Sequence, residues 1–165
     1  MCLNNSCYNK CMSNKRKRKA QIGKSSPETQ IFKAATRFSD QTLAEVNELF
    51  SIWGMTPLQH NALRVIYTED KNDIGISSKE IGSRLYTRVP DVTRLLDRMV
   101  DKGWITRERD SKNKRVVRSR LTDAGIELVE SAHKPLVELE AMQMEHLSDA
   151  EKRTLIQLLS KIMDR

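Results

Sequence analysis

No stretch of this chain approaches the roughly 18 to 20 consecutive apolar residues that span a membrane, so nothing in it reads as integral to one. The first 26 residues hold no apolar core of roughly 7 to 15 residues and place their basic run late, the wrong order for a secretory leader. A cytoplasmic protein is expected. The three cysteines, Cys2, Cys7 and Cys11, are confined to the same stretch, and nothing beyond it could pair with them. An odd, clustered count argues against a disulfide framework. No histidine or fourth cysteine stands beside them to complete a tetrahedral zinc site. A Gly-rich phosphate loop is also missing, and His60, His133 and His146 stand in separate segments without a convincing nucleophile or paired carboxylates. An enzyme is therefore not expected, and neither is a cofactor or a bound metal.

What the chain does have is charge, unevenly placed. Its 165 residues carry a net +7. Residues 1–26 hold seven Lys or Arg and no Asp or Glu, and residues 77–121 hold thirteen basic against six acidic residues. The remainder holds nine basic and sixteen acidic residues. A basic centre between acidic flanks suits a chain whose middle meets a polyanion. Residues 1–26, ending in Lys15-Arg16-Lys17-Arg18-Lys19, are too poor in apolar side chains to offset the entropy of ordering, which predicts a disordered basic arm.

Beyond the arm, the pattern is mostly helical. Ile31, Phe32, Ala35, Phe38, Val46, Leu49, Phe50 and Trp53 recur largely at spacings of three and four, predicting an amphipathic helix over 28–52. Thr56-Pro57-Leu58-Gln59 opens a second helix, with Thr56 as cap, Pro57 at the first turn and Gln59 reaching back. Ile76 adds a short strand. Ser77-Ser78-Lys79-Glu80 repeats the capping logic for a short helix, and Pro90-Asp91 starts another that carries Val92, Leu95, Leu96 and Met99 until Gly103 stops it. Two short helices joined by a turn make a helix-turn-helix. Residues 104–109 and 115–121 flank a polar turn, and in the second segment Val117, Ser119 and Leu121 alternate with Val116, Arg118 and Arg120, which reads as a hairpin with one basic face. Two further helices follow, the first bent near Pro135 and the second capped by Ser148.

The motif Val92-Thr93-Arg94-Leu95-Leu96-Asp97-Arg98-Met99, with Lys102-Gly103-Trp104-Ile105 and Arg120-Leu121-Thr122-Asp123-Ala124-Gly125, resembles the MarR family of bacterial transcriptional regulators. Gly54-Met55-Thr56-Pro57-Leu58-Gln59 belongs to the same resemblance, which covers roughly residues 28–165. It implies a mainly α fold with a small β-hairpin wing: a winged helix-turn-helix over 56–121 with dimerisation helices at 27–55 and 122–165. It also implies a homodimer, a double-stranded DNA operator, and a small-molecule effector of unknown identity.

The residues support that implication independently. On a wheel of about 100° per residue, Val92, Leu95, Leu96 and Met99 share one side, while Pro90, Thr93, Arg94 and Asp97 share the other. A major groove about 12 Å wide admits such a helix, and Arg94 can bond bidentately to guanine while Thr93 reaches a base edge or a phosphate. Arg98 at the edge suits a phosphate or a salt bridge to Asp97 or Asp101. With Asp91, these form the recognition-helix set, and Ser77, Ser78, Lys79 and Arg88 are added as flanking DNA contacts. For the wing the candidates are Arg107, Arg109, Lys112, Asn113, Lys114 and Arg115. Arg115 sits where the family places a wing-tip arginine suited to a narrow minor groove. The family usually has Asp-x-Arg there. Asn113 can hold the turn but offers no carboxylate to Arg115, which predicts a looser wing. Arg107, Arg109, Lys112, Lys114, Arg118 and Arg120 fit phosphate contacts or salt bridges along the strand face.

Two other readings stay open at this point. A winged helix does not by itself imply DNA binding, and one built for protein partners would present an apolar outward face. A metal-dependent repressor would draw on Glu130, His133 or His146.

Overall fold

A computed structural model of the protein describes residues 25–164, so the basic arm expected at 1–26 and its three cysteines lie almost wholly outside the described residues. The chain divides into two units, residues 1–41 and 42–165. In the first unit the described residues are the start of helix α1, Pro27–Ser51, and every position from 26 to 41 is exposed, including Ile31 and Phe32.

The second unit holds the end of α1 and then α2 (Pro57–Glu69), β1 (Ile76–Ser77), α3 (Ser78–Arg84), α4 (Val92–Asp101), β2 (Ile105–Arg109), β3 (Val117–Leu121), α5 (Asp123–Gln143) and α6 (Asp149–Met163). Three of these helices begin at the capping boxes visible in the sequence. At α2, Gln59 N–H donates to Thr56 Oγ1 at 3.2 Å while Thr56 N–H donates to Gln59 Oε1 at 3.0 Å. Ser77 with Glu80 and Ser148 with Glu151 repeat the exchange at α3 and α6. Each box satisfies amide donors that the first turn of a helix would otherwise leave orphaned.

The short strand expected at Ile76 is present as β1, and it joins the expected hairpin in one three-stranded sheet. β3 lies in the middle, antiparallel to both β1 and β2, with Ile76 opposite Ser119 and Arg107 also opposite Ser119 on the other side. The pairing of β2 and β3 stops at Arg109 and Val117, so Arg115 and Val116 belong to the wing turn and not to the strand. α5 is continuous through Pro135.

The closing motif Thr122-Asp123-Ala124-Gly125 has a physical reason. Thr122 N–H donates to Trp104 O at 3.1 Å and its hydroxyl donates to Gly103 O at 2.7 Å. A Cβ on Gly125 would come within 2.1 Å of that same Trp104 oxygen, so only glycine lets α5 start so close to β2. Gly103 itself has φ +72, the left-handed conformation that ends α4.

The core gathers the inward faces of α2, α3 and α4, β2 and the first half of α5 around Leu63, Ile66, Ile81, Leu96, Met99, Ile105, Val129 and Ala132, with Phe50 from α1. His60 is buried in it, stacked on Phe50 with ring centroids 4.6 Å apart. Burial, with Arg64 and His133 adding positive charge nearby, pushes its pKa down to about 4. Between pH 6.5 and pH 4 the unfolded chain therefore binds the proton that the folded chain refuses, and stability falls as pH falls through that window. We predict a loss of roughly 1 to 2 kcal/mol between about pH 7 and pH 5 from this residue, allowing for some solvent screening. Thermal melts across that range should show the loss in the wild type and much less of it in His60→Phe; parallel slopes for the two proteins would contradict it.

Candidate nucleic-acid interface

α3, the seven residues after it, and α4 form the helix-turn-helix. Asp91 caps α4, its carboxylate accepting Arg94 N–H at 2.9 Å. Leu95, Leu96 and Met99 face inward and are buried; Thr93, Arg94, Asp97 and Arg98 face outward and are exposed, as the wheel predicts. Pro90 and Asp91 are exposed at its start, and Arg88 is exposed in the turn.

One outward residue is engaged within the protein. Asp97 forms an ion pair with Arg107 of β2, and the same guanidinium donates from Nη2 to Ser78 Oγ of α3 at 3.2 Å. The Arg107 side chain is only 15% exposed. The sequence placed Arg107 among the wing cations, Asp97 on the outward face of the recognition helix and Ser78 among the flanking DNA contacts; in the structure Arg107 binds both of the others and clamps both helices of the motif to the sheet. The cation is partly shielded from water while Asp97 stays largely exposed, so the pair acts more by fixing geometry than by neutralising a buried charge. Ser77 is likewise engaged, as the α3 cap.

The wing turn is tied by a residue that sequence reasoning passed over. Asp110 Oδ1 accepts the amides of Lys112 at 2.8 Å and Asn113 at 2.7 Å, and its other oxygen pairs with Arg118 Nε. The Arg118 bond first, and then the two amides, hold its pKa down to about 2. Arg118 also donates to Gly75 O at 2.9 Å, so its cation is spent on the fold. Asn113 holds the turn as expected, its Oδ1 accepting Arg115 N–H at 3.2 Å. Asp110 gives the turn a carboxylate, but its partner is Arg118 and not Arg115. An aspartate followed two and three residues later by free amides was the available signal.

Sorting the basic residues of 77–121 by their partners separates two groups. Arg84 pairs with Glu69, Lys102 reaches Gly54 O and lies over Trp104, Arg107 pairs with Asp97, Arg118 with Asp110, and Arg120 with Asp73. Lys79, Arg88, Arg94, Arg98, Arg109, Lys112, Lys114 and Arg115 are exposed and, among the described residues, have no ion-pair partner. They lie on α3, the turn after it, α4 and the wing.

Metal donors do not converge: among the described residues no three His, Cys, Asp or Glu side chains come together. Glu130 instead accepts the Tyr67 hydroxyl at 2.9 Å, and His146 lies beside Glu145. No described helix is long and apolar enough to cross a membrane.

A family model described as MarR family matches residues 53–116. A MarR transcription factor from Planctomyces limnophilus, known from its crystal structure, is 32% identical, with a TM-score of 0.64, and the match covers 83% of this chain and 98% of that one. The chain belongs to the MarR family of helix-turn-helix transcriptional regulators. MarR membership is seen again in the curated relatives: the chain is 34% identical over 109 residues to the uncharacterized HTH-type transcriptional regulator YkoM of Bacillus subtilis, covering 66% of this chain and 68% of YkoM. Among solved MarR structures, a mutant of the E. coli protein, crystallised in complex with operator DNA, is 27% identical with a TM-score of 0.72, over 84% of this chain and 99% of that one.

The role of Asp110 is open to direct measurement. In Asp110→Ala, amide exchange at Lys112 and Asn113 should quicken severalfold while residues in the core keep their protection. Unchanged exchange at those two amides would show that the turn is held by other means.

Proposed function

We propose that the protein is a sequence-specific DNA-binding transcriptional regulator that acts as a homodimer. The observation that carries the reading is the set of eight exposed cations whose side chains have no ion-pair, hydrogen-bond or ring partner, among the described residues, on the helix-turn-helix and wing. Cations needed for the fold are paired; these are left for a polyanion. Thr93, Arg94 and Arg98 present a polar, cationic outward face on α4, which favours a major groove over the apolar surface that a protein-binding module would offer. Arg94 reads a base edge, and Arg98 and Lys79 meet phosphates. Arg88, Pro90 and Asp91 bring the start of α4 to the groove, Asp91 by capping it. Arg115, at the wing turn with Lys112, Asn113 and Lys114 beside it, enters the minor groove, while Arg109 meets the backbone. Regulation of this affinity by a small-molecule effector is part of the reading, supported by family membership alone.

The dimer is supported by what α6 leaves uncovered. None of its fifteen residues is buried, and Leu155, Ile156, Leu158, Leu159, Ile162 and Met163 are exposed along it. A helix of this length is marginal in water without tertiary contacts, so its apolar face requires a cover. In α5, Val137 and Met142 are exposed too. Sedimentation at micromolar concentration should give twice the 19.0 kDa of the chain, and removal of residues 148–165 should abolish both the dimer and tight operator binding. A folded monomer of the intact chain would contradict the assignment.

The DNA roles separate by mutation. Arg94→Ala should cost roughly 1 to 3 kcal/mol per half-site at the preferred sequence and much less on random duplex. Arg115→Ala should weaken binding most where the flanks are A·T-rich, and Arg115→Lys should not fully rescue it, because an ammonium is more strongly hydrated than a guanidinium. Titrations at fixed salt against the operator, the same core with G·C flanks, and random DNA distinguish these. Equal losses for Arg94→Ala on all three would make Arg94 a phosphate contact and overturn the orientation of α4.

A further inference from the structure

The segment that delivers Arg88 and the start of α4, residues 85–90, has no regular structure of its own. Among the described residues, one side chain hydrogen-bonds to its backbone. Asn61, 25 positions upstream on α2, accepts Tyr86 N–H on its Oδ1 at 3.2 Å. Asn61 is 1% exposed, flanked on α2 by His60 and Ala62, which are buried with it. Asparagine is a poor helix former, and burying its amide costs free energy unless it is bonded. An apolar residue of the same volume would fill the position at less cost but would leave the Tyr86 N–H without its acceptor.

We infer that Asn61 is a positioning residue for DNA reading: it sets the path of the turn between α3 and α4, and through it the aim of Arg88 and Arg94, without touching DNA. The turn is then fixed at both ends, by Asn61 at Tyr86 and by the Asp91 cap at Arg94, while Arg107 fixes α4 against the sheet. This rests on the DNA-binding reading above, but the hold on the turn is measurable without DNA.

The experiment uses the full chain and two variants. Asn61→Leu keeps the shape and removes the acceptor; Asn61→Asp keeps an acceptor at the same place. In Asn61→Leu, Tyr86 amide exchange should quicken by roughly fivefold, the equivalent of one hydrogen bond of about 1 kcal/mol. The ratio of operator to random-duplex affinity should fall by a similar factor or more, while exchange at Lys112 and Asn113 in the wing stays as in the wild type. Asn61→Asp should restore Tyr86 protection and operator preference, a rescue that a purely volume-filling role would not produce. A folded Asn61→Leu protein with wild-type Tyr86 exchange and wild-type operator preference would overturn the proposal. If the leucine variant does not fold, the aspartate variant decides alone: folded with wild-type preference it supports the role, and folded with preference lost it refutes it. A wild-type protein that prefers no duplex would sink the DNA-binding reading, and the Tyr86 exchange of Asn61→Leu would still settle whether Asn61 holds the turn.

Discussion

The geometry of the helix-turn-helix depends on one half-buried cation. Arg107 stands on β2, pairs with Asp97 on α4 and bonds Ser78 at the start of α3, so a single guanidinium fixes both helices of the motif against the sheet. Hydrophobic packing through Leu96, Met99 and Ile105 brings these elements together but tolerates small rotations about the helix axis. A planar donor group with a fixed fork does not. Asp97, on the otherwise outward face, supplies the carboxylate that this guanidinium meets.

That pairing also explains how the basic centre divides. Fold and function draw on the same residue types within residues 77–121, and what separates them is whether a carboxylate or carbonyl lies within reach. Arg118 and Asp110 stabilise the wing, Arg84 and Glu69 join α3 to α2, and the cations left over are exposed and lie on the elements that meet DNA in the proposed reading. Charge count alone does not make this distinction; geometry does.

Much of the fold was legible in the sequence because the signals were local. Capping boxes at Thr56, Ser77 and Ser148, the inward spacing of Leu95, Leu96 and Met99, and the stop at Gly103 each act within a few residues, and each is present as read. What was not legible depends on contacts distant in sequence. Arg107 meets Ser78 across 29 positions, Asn61 meets Tyr86 across 25, and β1 at Ile76 joins β3 at Ser119, which makes the sheet three-stranded. No periodicity reports such pairings. Asp110 is the exception, a local device that the general polarity of the turn concealed.

The uncovered apolar face of α6 and the unpaired cations lead to one account, a two-fold protein on a two-fold site. Selection of duplexes from a random pool by the full-length protein, at physiological salt, tests it most directly. Enrichment of a single inverted repeat is expected, with half-site centres about one helical turn apart or a multiple of it. Enrichment of no sequence, or of a lone half-site without its symmetric partner, would contradict it.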